Sequence, residues 1–190
     1  PMTSAPRLEA VLFDLDGVLV DSHSQHEEAW EIWAAELGRT LPDGFFKRSF
    51  GMRNESIIPD LLGWSTDPAE IARMGFRKEE HYRGLLQRDG LDALPGAAEL
   101  LSALAAAGIR RAVASSTPRE NLAAVMAATG LGGNFDAMIS GSDVSRGKPD
   151  PEVFLMAAAA VHVDPARCLV IEDAHVGIAA GLAAGCKVLA

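Results

Sequence analysis

Short apolar runs, each bounded by turn residues, recur along this chain and alternate with stretches of helical character. That alternation implies a parallel β-sheet covered by helices on both faces, because each helix returns the chain to a new parallel strand. The runs read as strands at Leu8–Phe13, Arg111–Ser115, Ala137–Ser140, Cys168–Glu172 and from Lys187 onward. Helix signals lie between them. Thr117, Pro118 and Glu120 offer a cap, a first-turn proline and an acidic third position, and Gly130 closes the segment. Asp150 and Pro151 open another helix in the same way, and Ala174–Ala184 ends at Gly185 with small residues suited to close packing on a sheet. The expected fold class is α/β, a Rossmann-like parallel sheet.

One interval breaks the rhythm. Phe13 ends the first strand, but the pattern restarts only at Pro95 and Gly96, far beyond the dozen or so residues that a crossover needs. The interval is therefore an insertion, and it is helical in character: Ser24 with Glu27 reads as a capping box before a run to Leu37 and Gly38, and Asp67, Pro68 and Glu70 open a second helix. The expected organisation is a core of residues 1–20 and 93–190 with a small helical cap at 21–92. Trp30, Trp33 and Leu37 fall at helical spacing and are assigned to packing within that cap.

The chain has 190 residues, 48% hydrophobic and 23% charged, which is ordinary for a globular protein. A net charge of -9 argues against nucleic acid or an anionic membrane as partner. No apolar run reaches membrane-span length and the start, Pro1–Ala10, lacks the core of a signal peptide. Cys168 and Cys186 lie in apolar segments without metal-ligand spacing, so reduced, buried thiols and a cytoplasmic setting are expected, as a monomer or weak homo-oligomer. Pro1 before Met2 resembles a tag remnant, and Lys187–Ala190 reads as a strand that stops at the terminus, as though something follows.

Asp14 and Asp16 directly follow Val11, Leu12 and Phe13, at the carboxyl end of a central strand, where open α/β sheets bind ligands. Two carboxylates so close repel unless a cation or a shared proton intervenes, and a hard divalent ion would resolve the conflict. An EF-hand does not fit, because Gln25 stands where its bidentate Glu would be. A P-loop does not fit either, because five residues separate Gly141 from Gly147 and Pro149 follows Lys148. Ser115, Lys148, Glu172 and Asp173 sit at or after the ends of three other strands. Singly they read as a turn hydroxyl, a loop charge and helix caps; together they offer one coherent site.

The segments DLDGVLVDS (14–22), VASST (113–117), GKPDPEVF (147–154) and VIEDAHVGI (170–178) resemble the four ordered motifs of the haloacid dehalogenase superfamily. The insertion resembles that of the subgroup containing beta-phosphoglucomutase and small sugar-phosphate phosphatases. The resemblance implies that Asp14 attacks phosphorus, and that Asp16 protonates the leaving oxygen and then activates water. It implies Mg2+ held by the Asp14 side chain, the Asp16 backbone carbonyl and Asp173, with Glu172 a ligand or an orienting group. Ser115, Ser116 and Lys148 would grip phosphoryl oxygens. An Asp at position 16 points to phosphate esters, since dehalogenases and phosphonatases of the superfamily lack it and transport ATPases carry Thr.

By the same similarity His26, Arg53 and Lys78 are candidate cap contacts to substrate. His26 also reads as an exposed helical residue, and Lys78, among Arg77, Glu79 and Glu80, as part of a solvated face. His81, His162 and His175 show no metal spacing and receive no role. Thr117, Pro118, Arg119 and Glu120 depart from the Lys and Asn of the mutase at this turn. The expected reaction is hydrolysis of a small sugar or polyol monophosphate, with phosphosugar mutase chemistry as the alternative. A noncatalytic phosphate- or metal-binding relative, or an inactive fragment, is the reading from another class.

Overall fold

In a computed structural model describing residues 7–190, five parallel strands form one sheet in the order β3-β2-β1-β4-β5. The tag-like Pro1–Met2 lies outside the described residues. At the centre is β1 (Ala10–Phe13), flanked by β2 (Arg110–Ala114) and β4 (Cys168–Ile171), with β3 (Ala137–Ile139) and β5 (Lys187–Leu189) outermost. Phe13 pairs with Val113 on one side and Ile171 on the other, so the three inner strands end level. The chain leaves β1 for β2 and later crosses to β4 on the opposite side, which makes the end of β1 the topological switch point.

All four residues of β1 are buried because both sheet faces are covered. Val11 and Phe13 enter one core with Leu101 of α5 (Ala97–Ala106) and Leu122, Val125 and Met126 of α6 (Arg119–Thr129). Ala10 and Leu12 enter the other with Phe154, Ala157 and Ala158 of α7 (Glu152–Ala160) and Ala180 of α8 (His175–Ala183). Small residues let α8 approach closely: a Cβ at Gly181 would lie 2.9 Å from Val188 Cγ2. The expected α/β class and parallel sheet are thus present. The first strand ends at Phe13 as the sequence suggested, but β2, β3 and β4 stop a residue sooner than their apolar runs, leaving Ser115, Ser140 and Glu172 just past them.

Between β1 and α5 lie α1 (His23–Glu36), two short helices, α2 (Phe45–Ser49) and α3 (Asn54–Ser56), a π-helical turn at Ile57–Leu61, and the long α4 (Pro68–Asp89). They enclose a third core of Trp30, Phe45, Ile57, Ile58, Ile71 and Met74, with Trp33 and Leu37 packed against it. The far end of α4 delivers Tyr82, Leu85 and Leu86 to the first sheet core and so ties the insertion down. Asp67 caps α4 through Ala69 N, as expected, while Asp150 accepts from Glu152 N but Pro151 stands before the first residue of α7 rather than in its first turn. The Ser24–Glu27 capping box does not form. Helix α1 starts at His23, Ser24 Oγ turns to Gln25, and the preceding Ser22 hydroxyl is committed to Asp16. Nor does Thr117 cap α6; its own N–H donates to Ser115 Oγ, and Pro118 precedes the first helical residue.

Phe154 is fully buried at the contact of α7 with the sheet. Phe154→Ala is expected to cost about 3–5 kcal/mol, read from the urea midpoint at unchanged slope.

Candidate active site

The backbone pairing of the sheet continues one residue beyond the strands and thereby fixes the site. Asp14 N donates to Ile171 O, Ser115 N to Ile139 O and Glu172 N to Leu189 O, at 3.0, 3.0 and 3.1 Å. Lys148 reaches in from the loop after β3. Its Nζ lies 2.7 Å from Asp14 Oδ1 and 2.6 Å from Glu172 Oε1, and 5.0 Å from the centre of the Phe154 ring. All three charged side chains are almost wholly buried. Glu172 Oε2 accepts from Ala174 N, so both of its oxygens are engaged. The approach of α8 depends on Gly177, where a Cβ would fall 1.6 Å from Glu172 Oε1.

Burial pushes the Asp14 carboxyl up to about 7; Lys148 opposes the rise, while Glu172 and Asp16 add to it. Burial alone would lower Lys148, but Asp14 and Glu172 outweigh it and raise the ammonium above its ordinary value. Asp173 is raised by partial burial and by Glu172. Carboxylate oxygens of Asp14, Glu172 and Asp173 come within 4.8 Å of one another, the one such acidic or His/Cys cluster among the described residues. This set of hard oxygen donors, with one partner at the surface, fits Mg2+. A close approach at Gly17 (φ +85°) supports the cluster, since a Cβ there would lie 2.0 Å from Asp173 Oδ2.

The Asp16 carboxylate is not in this cluster. It turns to the Ser22 hydroxyl, and Oδ1 lies 3.5 Å from His26 Nε2. Burial would raise its pKa, but His26 and Ser22 hold it below the usual range. Any metal ligand from residue 16 would thus be its backbone carbonyl, as the resemblance implied.

The insertion closes over these groups. His26 stacks on Tyr82 with centroids 3.9 Å apart, and Lys78 Nζ lies 2.8 Å from His26 Nδ1. Lysine only donates, so Nδ1 accepts and the ring proton sits on Nε2, on the side of Asp16. Neither residue is on a solvated face: Lys78 is 2% exposed on the inward side of α4, and His26 of α1 is half-buried against Tyr82 of α4. Arg53 Nη1 donates to Val144 O, and its Nε pairs with Glu55. Ser116 donates its hydroxyl to Gly51 O of the insertion, while Ser115 Oγ accepts from Thr117 N.

A cavity of about 210 Å³ lies between insertion and sheet, lined by Asp14, Asp16, His26, Arg53, Lys78, Ser115 and Ser116 among others. Lys148 stands behind Asp14. Lys148, Glu172 and Asp173 do not line this cavity, so the residues singled out in the sequence form a cavity group and a buried cluster that share Asp14. Unanticipated are Asn54, Glu79, Arg83 and Asn121, which hydrogen-bond to one another beside Lys78. The available signal was periodic. Ile71, Met74, Gly75, Tyr82, Leu85 and Leu86 trace the buried stripe of α4, and Lys78 and Glu79 fall on it.

Residues 8–185 match the haloacid dehalogenase-like hydrolases. The chain belongs to this family. It is 36% identical to hexitol phosphatase A of Escherichia coli (strain K12), covering 97% of this chain and 83% of that protein. It is 34% identical to a beta-phosphoglucomutase of Bacillus subtilis (strain 168), covering 94% and 80%. A chloroplastic 5-amino-6-(5-phospho-D-ribitylamino)uracil phosphatase of Arabidopsis thaliana is 36% identical over 87% of the chain, which spans only 47% of that longer protein. Among solved structures, a Clostridium difficile beta-phosphoglucomutase superposes with TM-score 0.85 at 29% identity, covering 95% of this chain and 83% of that one. This hydrolase thus resembles those relatives in sequence over most of its length and the Clostridium difficile protein in fold.

Gly177→Ala is expected to push Glu172 off Lys148 and reduce kcat/KM by roughly 10²-fold, as loss of a preorganised electrostatic group does. Phosphate release from para-nitrophenyl phosphate measures it. Asp14→Asn should raise the melting temperature of metal-free protein, and by more at about pH 8 than at about pH 5. The sign follows from the raised Asp14 value. The folded state binds this proton more tightly than the unfolded state, so the ionisation penalty starts near the unfolded value of 3.8 and is complete only above about 7.

Proposed function

We propose that this enzyme is a Mg2+-dependent phosphatase that hydrolyses a small sugar or polyol monophosphate through a phosphoryl group carried on Asp14. The observation that carries the reading is the contrast between two aspartates separated by a single residue. Asp14 is held against Lys148 at the acidic cluster, while Asp16 is turned to Ser22 and His26. On this reading one carboxylate attacks phosphorus and the other moves a proton between water and the leaving oxygen.

Mg2+ bound by Asp14 and Asp173, with the Asp16 carbonyl, would supply positive charge that favours ionised Asp14 and offsets charge on the phosphoryl oxygens. Lys148 and the Ser115 hydroxyl take the same oxygens from the protein side, and Ser116 completes the turn. Glu172 we read as orienting Lys148, since its two oxygens are already bonded to Lys148 and Ala174 N. The Ser22 and His26 contacts hold Asp16 ionised, the form that accepts a proton from attacking water.

Residues 21–92 we assign to a cap that selects the leaving group, with residues 93–190 and the first strand as core. Apart from Asp14 and Asp16, the cavity lining carries three cations, Arg53, Lys78 and Arg83, and three carboxylates, Glu55, Glu79 and Glu120. That balance suits a neutral polyol body better than a second phosphate. Arg119 does not alter it, because its guanidinium pairs with Asp143 and is absent from the lining. Hydrolysis is therefore favoured over mutase chemistry, in which both ends of a bisphosphate must be held. No helix among the described residues is long and apolar enough to cross a membrane, and both cysteines are free and buried, which suits a reducing compartment such as the cytoplasm.

Wild-type protein with Mg2+ should release phosphate from a panel of sugar and polyol monophosphates, and chelation should abolish the release. Asp16→Asn is expected to lower kcat by about 10²–10⁴-fold. A loss below about tenfold would move the acid/base role elsewhere. Isomerised sugar phosphate without free phosphate would decide for the mutase.

A further inference from the structure

Away from the phosphate end of the cavity, insertion and sheet meet across a buried polar seam. Glu79 of α4 is 5% exposed and its carboxylate has three donors. Asn54 Nδ2 lies 2.7 Å and Lys78 Nζ 3.1 Å from Oε1, and Asn121 Nδ2 lies 2.5 Å from Oε2. The Asn121 carbonyl oxygen accepts from Arg83 Nη1 at 2.8 Å. Four of these five side chains belong to the insertion. Asn121, on α6 and fully buried, alone comes from the sheet side.

One amide thus meets an anion with its donor end and a cation with its acceptor end. The two charges, Glu79 and Arg83, lie one turn apart on α4, so a single side chain fixes both the rotation and the height of that helix. The arrangement is exacting because a buried carboxylate without its donors is costly. Burial would raise the Glu79 pKa, but Lys78 and the amides of Asn54 and Asn121 hold it below its ordinary range. From Glu79 the contacts run on through Lys78 to His26 Nδ1, and His26 Nε2 lies 3.5 Å from Asp16 Oδ1.

We propose that Asn121 is a positioning residue: by docking Glu79 and Arg83 it seats α4 so that Lys78 and His26 set the orientation of Asp16. The inference rests on the reading of Asp16 as proton carrier, but it concerns a residue that touches neither phosphate nor metal. Asn121 is the third residue of α6, the helix that follows the turn carrying Ser115 and Ser116, so one short segment would both hold the phosphate and register the cap.

The test uses near-isosteric exchanges in the whole chain. Asn121→Asp keeps the acceptor for Arg83, removes the donor to Glu79 and sets two carboxylates face to face. It is expected to lower kcat for the best monophosphate by about 10–100-fold, with KM changed less than about threefold. Hydrogen exchange should rise in α4 at residues 76–86 and stay unchanged in β1 and β4. Adding Glu79→Gln to Asn121→Asp swaps donor and acceptor between the positions without changing either shape, and should recover most of the lost kcat and the α4 protection.

A fall in melting temperature with kcat unchanged would overturn the proposal, as would failure of the double substitution to recover either readout. If wild-type protein releases no phosphate from any substrate, the catalytic reading fails by itself. The exchange comparison still decides whether Asn121 seats α4: unchanged α4 protection in Asn121→Asp overturns that.

Discussion

A buried ammonium between two buried carboxylates is the interaction on which this site depends. Lys148, Asp14 and Glu172 leave water together, and none could do so alone, because an unpaired charge in such surroundings is strongly unfavourable. Their pairing imposes conditions on distant parts of the chain. The loop after β3 must bring Lys148 to the end of β1, α8 must carry glycine at position 177, and Phe154 must support the lysine from beneath. The cost of this crowding shows in the raised Asp14 carboxyl. A site that holds excess carboxylate against its own ionisation is prepared for a cation, which relieves the strain the fold has built in.

The insertion repeats the principle with different residues. Glu79, Lys78, Asn54, Asn121 and Arg83 bury charge between two bodies, and each charge has a partner across or beside the seam. Apolar packing joins α4 to the sheet through Tyr82, Leu85 and Leu86, but apolar contacts tolerate sliding. Directional bonds to a buried amide do not. The first kind of contact supplies adhesion and the second supplies register, and it is register that the proposed role of Asp16 requires.

Much of this could be read from the residues in order. Four short segments announced the strand ends and the charged groups on them, because in a parallel sheet the residues that leave each strand gather at one edge. The helical insertion was visible as an interval too long for a crossover. Local capping was read less well. Ser22 rather than Ser24 stands before α1, and its hydroxyl serves Asp16 rather than the helix, a choice made by a side chain that arrives from another element. Lys78 and Glu79 looked solvated beside Arg77 and Glu80, yet they occupy the inward stripe of α4 while their neighbours face out. Asn121 had no motif to mark it.

By itself the sequence determined the α/β architecture, the order of the motifs and the family, since hydrophobic period, turn residues and short motifs act within a few residues of one another. Only the tertiary structure decided which carboxylate joins Lys148 and which turns away, and which polar residues of α4 are buried. Those outcomes depend on desolvation and on partners from remote segments, such as Asp14 with Lys148 and Glu79 with Asn121. Neither member of such a pair carries a local sign of the other.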